Sequence, residues 1–273
     1  MAQGAAIAAA GATGASGLAR IDARAVRGTI ESIGYGIVDD AVAAADIAAM
    51  RDFWLAEFAR PRPPAPMVWG PYFGEPNGVV FDRSPTHCLY RSFDYLWNPP
   101  YHAPTRAVAL ALNRVRNAIV GNEERHGELM NANRYGVYVT TSYYPPGDGW
   151  MWEHGDRMGD LEHWHFIVPL TFRGPDFTGG GLTLVDRTGN RVDVDARMRP
   201  GSVVFYDGRL PHGVSRISCD RNPPVGRLQM FAIPVVFEPP ETADRLIRSI
   251  PLARYARARL SVLKRRLKRL AGA

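Results

Sequence analysis

"RYGVYVTTSYYPPG", residues 134–147, is dense in β-branched and aromatic side chains and closes on Pro145-Pro146-Gly147. Such residues suit a pleated, half-buried strand, and the Pro-Gly pair ends it as a turn. Six later stretches repeat the pattern: "HWHFIVPLTF" (163–172), "GGLTLVD" (180–186), "RVDVDA" (191–196), "SVVFYDG" (202–208), "HGVSRI" (212–217) and "RLQMFAIPVVF" (227–237). Short strands with turn signals roughly every 8 to 12 residues point to an all-β sandwich or barrel. The expected fold class is therefore mainly β, a sandwich or barrel with its core at about 133–238.

Upstream the character is helical. In "GYGIVDDAVAAADIAAMRDFWLAEFAR" a short strand is expected at Tyr35–Val38, followed by a helix with Asp40 as its N-cap. Ala44, Ile47, Met50, Phe53, Trp54 and Phe58 supply the helical spacing. A second helix runs from about Thr105 to Val120, opened by Pro104 and stopped by Gly121. The simplest reading is a helical layer packed on the barrel, one domain over 21–238. Residues 1–20 are an Ala/Gly leader with neither the basic nor the apolar region of a signal peptide.

The net charge of +6 is unevenly spread. Residues 245–273 carry ten of the 33 basic side chains and no acidic one, which leaves 23 basic against 27 acidic, about −4, for the rest. The segment 239–273 reads as a basic amphipathic helical tail. Leu252, Ala256, Leu260, Leu263, Leu267 and Leu270 form one stripe, with Arg257, Lys264 and Lys268 opposite. Such a helix lies on an anionic membrane surface or docks on the barrel with its basic side solvated. Nucleic acid is not expected, because the body is acidic and no aromatic residues interleave with the basic ones. Two cysteines are too few for a disulfide framework, and no apolar run is long enough to span a bilayer. The expected location is cytoplasmic, peripheral on the membrane where the tail binds it.

Chemistry concentrates in "GWMWEHGDRMGD" (149–160), where His154 and Asp156 stand two apart. At the end of a strand, a spacing of two puts both side chains on one side. His212 opens a later strand, 58 positions on. Two imidazoles and one carboxylate on one face form the ligand set of non-haem Fe(II) oxygenases, with coordination positions left open.

These residues resemble the Fe(II)- and 2-oxoglutarate-dependent dioxygenases, nearest to the prolyl-hydroxylase-like and phytanoyl-CoA-hydroxylase-like members, over about Arg134 to Phe237. "YPPG" (144–147) precedes the His-x-Asp pair, "FTGGGLTLVD" (177–186) is similar to the family's glycine-led strand, and "RPGSVVFYDGRLPHGVSRI" runs into the distal histidine. "GRLQMFAIPVVF" then begins the last barrel strand with Arg227. The resemblance implies that the barrel is a double-stranded β-helix (jelly roll), that His154, Asp156 and His212 hold Fe(II), and that 2-oxoglutarate chelates the metal while Arg227 pairs with its far carboxylate. It also implies that O2 is consumed in hydroxylating an unactivated C–H bond. His165 could face inward near the cosubstrate, and Tyr144 is a further candidate for that pocket. The 15 residues from His212 to Arg227 exceed the family's usual interval, which makes Arg216 and Arg221 competitors for the clamp.

The tail suggests an anionic lipid, glycolipid or lipid-linked sugar as substrate. A soluble amino acid or natural-product intermediate is the alternative, and a non-catalytic, cupin-like metal- or sugar-binding barrel is the alternative of another class.

Overall fold

The computed structural model describes residues 18, 21–64, 77–96, 99–128, 135–156 and 164–236. The leader, the basic tail, His163 and most of the proline-rich segment before β2 lie outside the described residues.

Three helices and eleven strands are described: α1 (Ala23–Ile33), β1 (Tyr35–Val38), α2 (Ala44–Phe58), β2 (Gly78–Ser84), β3 (His87–Tyr95), α3 (Ala103–Val120), β4 (Tyr135–Tyr144), β5 (Trp150–His154), β6 (Trp164–Pro169), β7 (Gly179–Val185), β8 (Arg191–Asp193), β9 (Val203–Asp207), β10 (His212–Ser218) and β11 (Arg227–Val236). Every strand pairing is antiparallel. The order is β1-β9-β6-β11-β4-β3-β5-β10-β7-β8, with β2 on β3. The path curls, so that β9-β6-β11-β4 forms one wall and β5-β10-β7-β8 the facing one, which is the expected jelly roll.

Alternation along each strand divides the side chains between two cores. On β9, Val203 and Phe205 point out beneath the helices, whereas Val204 and Tyr206 point into the barrel. On β6, Trp164, Phe166 and Val168 point out and Ile167 points in. The same rule sends Leu228 and Met230 of β11 outward, and so turns Arg227 and Gln229 to the barrel side. A one-residue slip of β11 would exchange the two sets and bury a cation under the helices.

The helices cover the outer face. The α1 helix, which the sequence pattern did not signal, starts where Asp22 accepts from the Arg24 and Ala25 amides (3.0 Å each) and stops at left-handed Gly34. In α2 the buried Ile47, Met50, Trp54 and Phe58 follow the expected spacing. Its N-cap is Ala43, however, and the expected cap, Asp40, sits at φ 53 in the preceding turn. The α3 helix has Pro104 in its first turn and ends at left-handed Gly121. The Trp54 indole N–H donates to the Thr105 hydroxyl at 2.8 Å, so this large buried ring leaves no donor unpaired. The β2–β3 hairpin was also not anticipated.

Candidate metal centre and cosubstrate pocket

Strand pairing brings the candidate metal ligands together. His212, the first residue of β10, is registered directly opposite His154, the last residue of β5. The pairing shifts by one position between His212 and Val214, a bulge that opposes Trp152 and Glu153 to Gly213. A Cβ on Gly213 would stand 2.9 Å from the Trp152 carbonyl oxygen and 3.0 Å from Glu153 Cα, so glycine admits the bulge. Bulges commonly re-aim side chains beside active sites. Here it brings Met151 and His154 to the barrel side and leaves Trp152 as the exposed large hydrophobic residue, 56% accessible.

Among the described residues, His154, Asp156 and His212 form the group that could hold a metal ion, with one ligand atom from each lying within 4.8 Å of the others. His154 Nε2 is 3.8 Å from Asp156 Oδ1, and His212 Nε2 is 3.7 Å from Asp156 Oδ2. Each imidazole is turned by its other nitrogen: His154 Nδ1–H donates to the Trp152 carbonyl (3.0 Å) and His212 Nδ1–H to that of Leu210 (2.9 Å). Both Nε2 lone pairs therefore face Asp156, as in metal sites whose outer hydrogen bonds fix the tautomer.

The protonation states suit a cation. Burial drives the His212 imidazolium down to about 4, against the pull of Asp156, so the ring is neutral at pH 7. Burial also works to raise the Asp156 carboxyl, but the imidazoles of His165, His212 and His154 outweigh it and hold the group below the usual carboxylate range. His154 and Asp156 keep partial access to solvent, whereas His212 is buried. The open side of the centre thus faces the barrel mouth.

His165 does point inward. It is registered against Tyr206 on β9, and its Nε2 lies 3.2 Å from Asp156 Oδ2 as an ion-pair partner. Two imidazoles and a carboxylate, with a third imidazole beside the carboxylate, are a donor set that fits a divalent cation.

Arg227 lies on the barrel side, opposite Tyr144 in the β11–β4 register, and is 1% exposed. Its guanidinium lies 5.8 Å from the centre of the Tyr144 ring. It is not free: Nε donates to Asp195 Oδ2 at 2.5 Å, Nη2 to Asp195 Oδ1 at 3.0 Å, and Nη1 to Gln229 Oε1. Three of its five N–H donors are thereby engaged and two remain. Burial opposes the charge, but Asp195 outweighs it and raises the guanidinium further. Tyr206 lies close enough to both Asp156 and Arg227 to feel their charges. Burial raises its phenol well above the ordinary value, the Asp156 carboxylate adds to this, and Arg227 opposes it. Burial likewise raises Tyr144, so both hydroxyls stay protonated and able to donate.

The competing arginines stay outside. Arg216 donates to the Gly147 carbonyl (2.9 Å) and Arg221 to that of Gly174 (2.9 Å), both at exposed positions. Asp195, Gln229, Tyr206 and Gly208 were not marked in the sequence. Alternation in "SVVFYDG" gives Tyr206 the inward parity of Val204, and Gln229 shares a face with Arg227 two residues away. Asp195 follows a three-residue strand, where no periodicity locates it.

No family model matches the chain, and no curated protein matches it. Solved structures do. The chain is similar to a prolyl-4-hydroxylase from Pseudomonas putida (18% identity, 80% of this chain and 98% of that one covered, TM-score 0.53). It is also similar to SnoN, a non-haem α-ketoglutarate-dependent epimerase from nogalamycin biosynthesis (13% identity, 78% and 82% covered, TM-score 0.52). AviO1 from Streptomyces viridochromogenes Tue57 is comparable (17% identity, 77% and 94% covered, TM-score 0.50). The chain therefore has the jelly-roll fold of the 2-oxoglutarate–Fe(II) oxygenases. It carries a His-x-Asp and distal-His ligand set at the mouth of that barrel.

Proposed function

We propose that this protein is an Fe(II)- and 2-oxoglutarate-dependent dioxygenase that hydroxylates an unactivated C–H bond. The observation that carries the reading is the convergence of His154, Asp156 and His212, with both imidazoles held in the ligand tautomer by backbone carbonyls. Two neutral nitrogens and one carboxylate neutralise half the charge of a divalent ion and leave positions for a chelating oxoacid and O2. When bound, the iron supplies the oxidative chemistry and 2-oxoglutarate its electrons.

The chain's own residues position and shield. Arg227 receives the distal carboxylate on its two remaining N–H groups, and the protonated Tyr144 and Tyr206 hydroxyls donate into the same pocket. His165 stands beside Asp156 and helps to hold its carboxylate ionised. Leu184, Val214 and Ile167 wall the interior against water. A passive barrel has no use for a buried guanidinium with donors to spare, which disfavours the non-catalytic alternative.

The test is anaerobic titration with Fe(II) and 2-oxoglutarate. A weak visible charge-transfer band and, on admitting air, succinate formation are expected; their absence returns the protein to the passive class. For the substrate, the basic tail favours an anionic lipid, glycolipid or lipid-linked sugar at a membrane surface over a soluble small molecule. Among the described residues no helix is long and apolar enough to cross a membrane.

A further inference from the structure

The glycine-led strand and the buried arginine are parts of one device. The geometry points to Asp195 as the residue that positions Arg227 for the distal carboxylate of a dicarboxylic oxoacid, a role that rests on the oxygenase reading above. The Asp195 carboxylate occupies the side-on fork of the guanidinium through Nε and Nη2, and Gln229 takes one Nη1 donor. The donors left over are therefore fixed in direction before any ligand arrives. A planar fork held this way presents two parallel N–H groups to a second carboxylate.

Asp195 is itself held. Its Oδ2 also accepts the Leu182 amide at 2.7 Å, and the residue is 5% exposed. Gly181, at φ +125, makes room for it: a Cβ there would overlap Asp195 Oδ2 and stand 2.8 Å from Arg173 Nη2. The sequence "GGGLTLVD" (179–186) thus reaches the cosubstrate pocket indirectly. The order is Gly181 and the Leu182 amide, then Asp195, then Arg227.

A role confined to stability would affect all ligands alike, whereas a positioning role is specific for the carboxylate that Arg227 meets. The experiment measures anaerobic binding to the Fe(II)-loaded full chain by calorimetry. It compares 2-oxoglutarate with 2-oxopentanoate, which keeps the chelating oxoacid but lacks the distal carboxylate. For Asp195→Asn, 2-oxoglutarate is expected to weaken at least about tenfold, the size of one charge-assisted hydrogen bond. Affinity for 2-oxopentanoate and for Fe(II) should be unchanged.

In an Arg227→Met background the Asp195→Asn effect should vanish. If Asp195→Asn fails to fold, Asp195→Glu, which keeps the charge but displaces it by one methylene, is expected to show the same selective loss. Equal or tighter 2-oxoglutarate binding in a folded variant, or parallel losses for both oxoacids, would overturn the assignment. Failure of the wild-type chain to bind 2-oxoglutarate would instead sink the oxygenase reading beneath it.

Discussion

Gly208→Ala is a one-carbon perturbation aimed at the metal centre. Gly208 follows β9, and its carbonyl accepts the Asp156 amide at 2.8 Å, so the backbones of the two segments lie against each other. A Cβ at this position would overlap His165 Cδ2 and stand 2.6 Å from His165 Nε2 and 2.7 Å from Asp156 Oδ2. Gly208 is not among the glycines with positive φ, so alanine brings no backbone strain and acts through volume alone. The buried His165 ring, the nearest group, must tilt, and the more accessible Asp156 carboxylate beside it must move as well. Ordinary contact begins at 3.4 Å, so Asp156 Oδ2 must retreat by about 0.7 Å, the difference from 2.7 Å. Productive geometry at such sites tolerates about 0.5 Å. The expected result is an Fe(II) affinity about 10- to 100-fold weaker, as when a ligand loses its orientation, with a folding cost of about 1–3 kcal/mol. Anaerobic metal titration and thermal denaturation read the two effects. Gly28→Ala, in an exposed turn of α1 with nothing within 4 Å, is the control; it should leave metal binding intact and gain up to about 1 kcal/mol of stability. A folded Gly208→Ala protein with wild-type Fe(II) affinity would refute the placement of Asp156 and His165 around this glycine.

Two other outcomes are expected. The folded-state pKa of His212, about 4, lies below the 6.5 of a free imidazole, so the unfolded chain binds more protons between those values and stability rises with pH across that window. Metal-free protein should be fully stabilised above pH 6.5 and lose about 3 kcal/mol as pH falls to about 4; His212→Asn should flatten that part of the profile, and an unchanged slope would show that His212 is not buried as described. Deleting residues 251–273 should release the protein from anionic vesicles and lower turnover on a membrane-borne substrate, whereas unchanged partitioning and turnover would leave the soluble-substrate alternative.

The β barrel was legible because period-2 patterning and turn residues are local signals, and they recur in "HWHFIVPLTF", "SVVFYDG" and "RLQMFAIPVVF". The candidate triad was legible because the spacing of His154 and Asp156 is local and His212 opens a recognisable strand. The interest in His165 and Arg227 came from the family resemblance. What escaped was non-local. Asp195 meets Arg227 only through the fold, across 32 positions, and Gly208 matters only because Asp156 packs against it. The α1 helix rests on the Asp22 cap and the Gly34 stop, with only Val26 and Ile30 buried along its length, a stripe too thin to mark it in sequence. Asp40 has the composition of a cap, yet the turn before α2 places it in the left-handed region, where Asp is among the few residues tolerated.

The account depends on one ion shared by the two imidazoles and the Asp156 carboxylate. Equilibrium Fe(II) binding to the chelator-stripped chain under anaerobic conditions tests it most directly, comparing the wild type with His212→Ala. One Fe(II) per chain, lost in the folded variant, is the predicted result. Full iron uptake by His212→Ala, or none by the wild type, would contradict it.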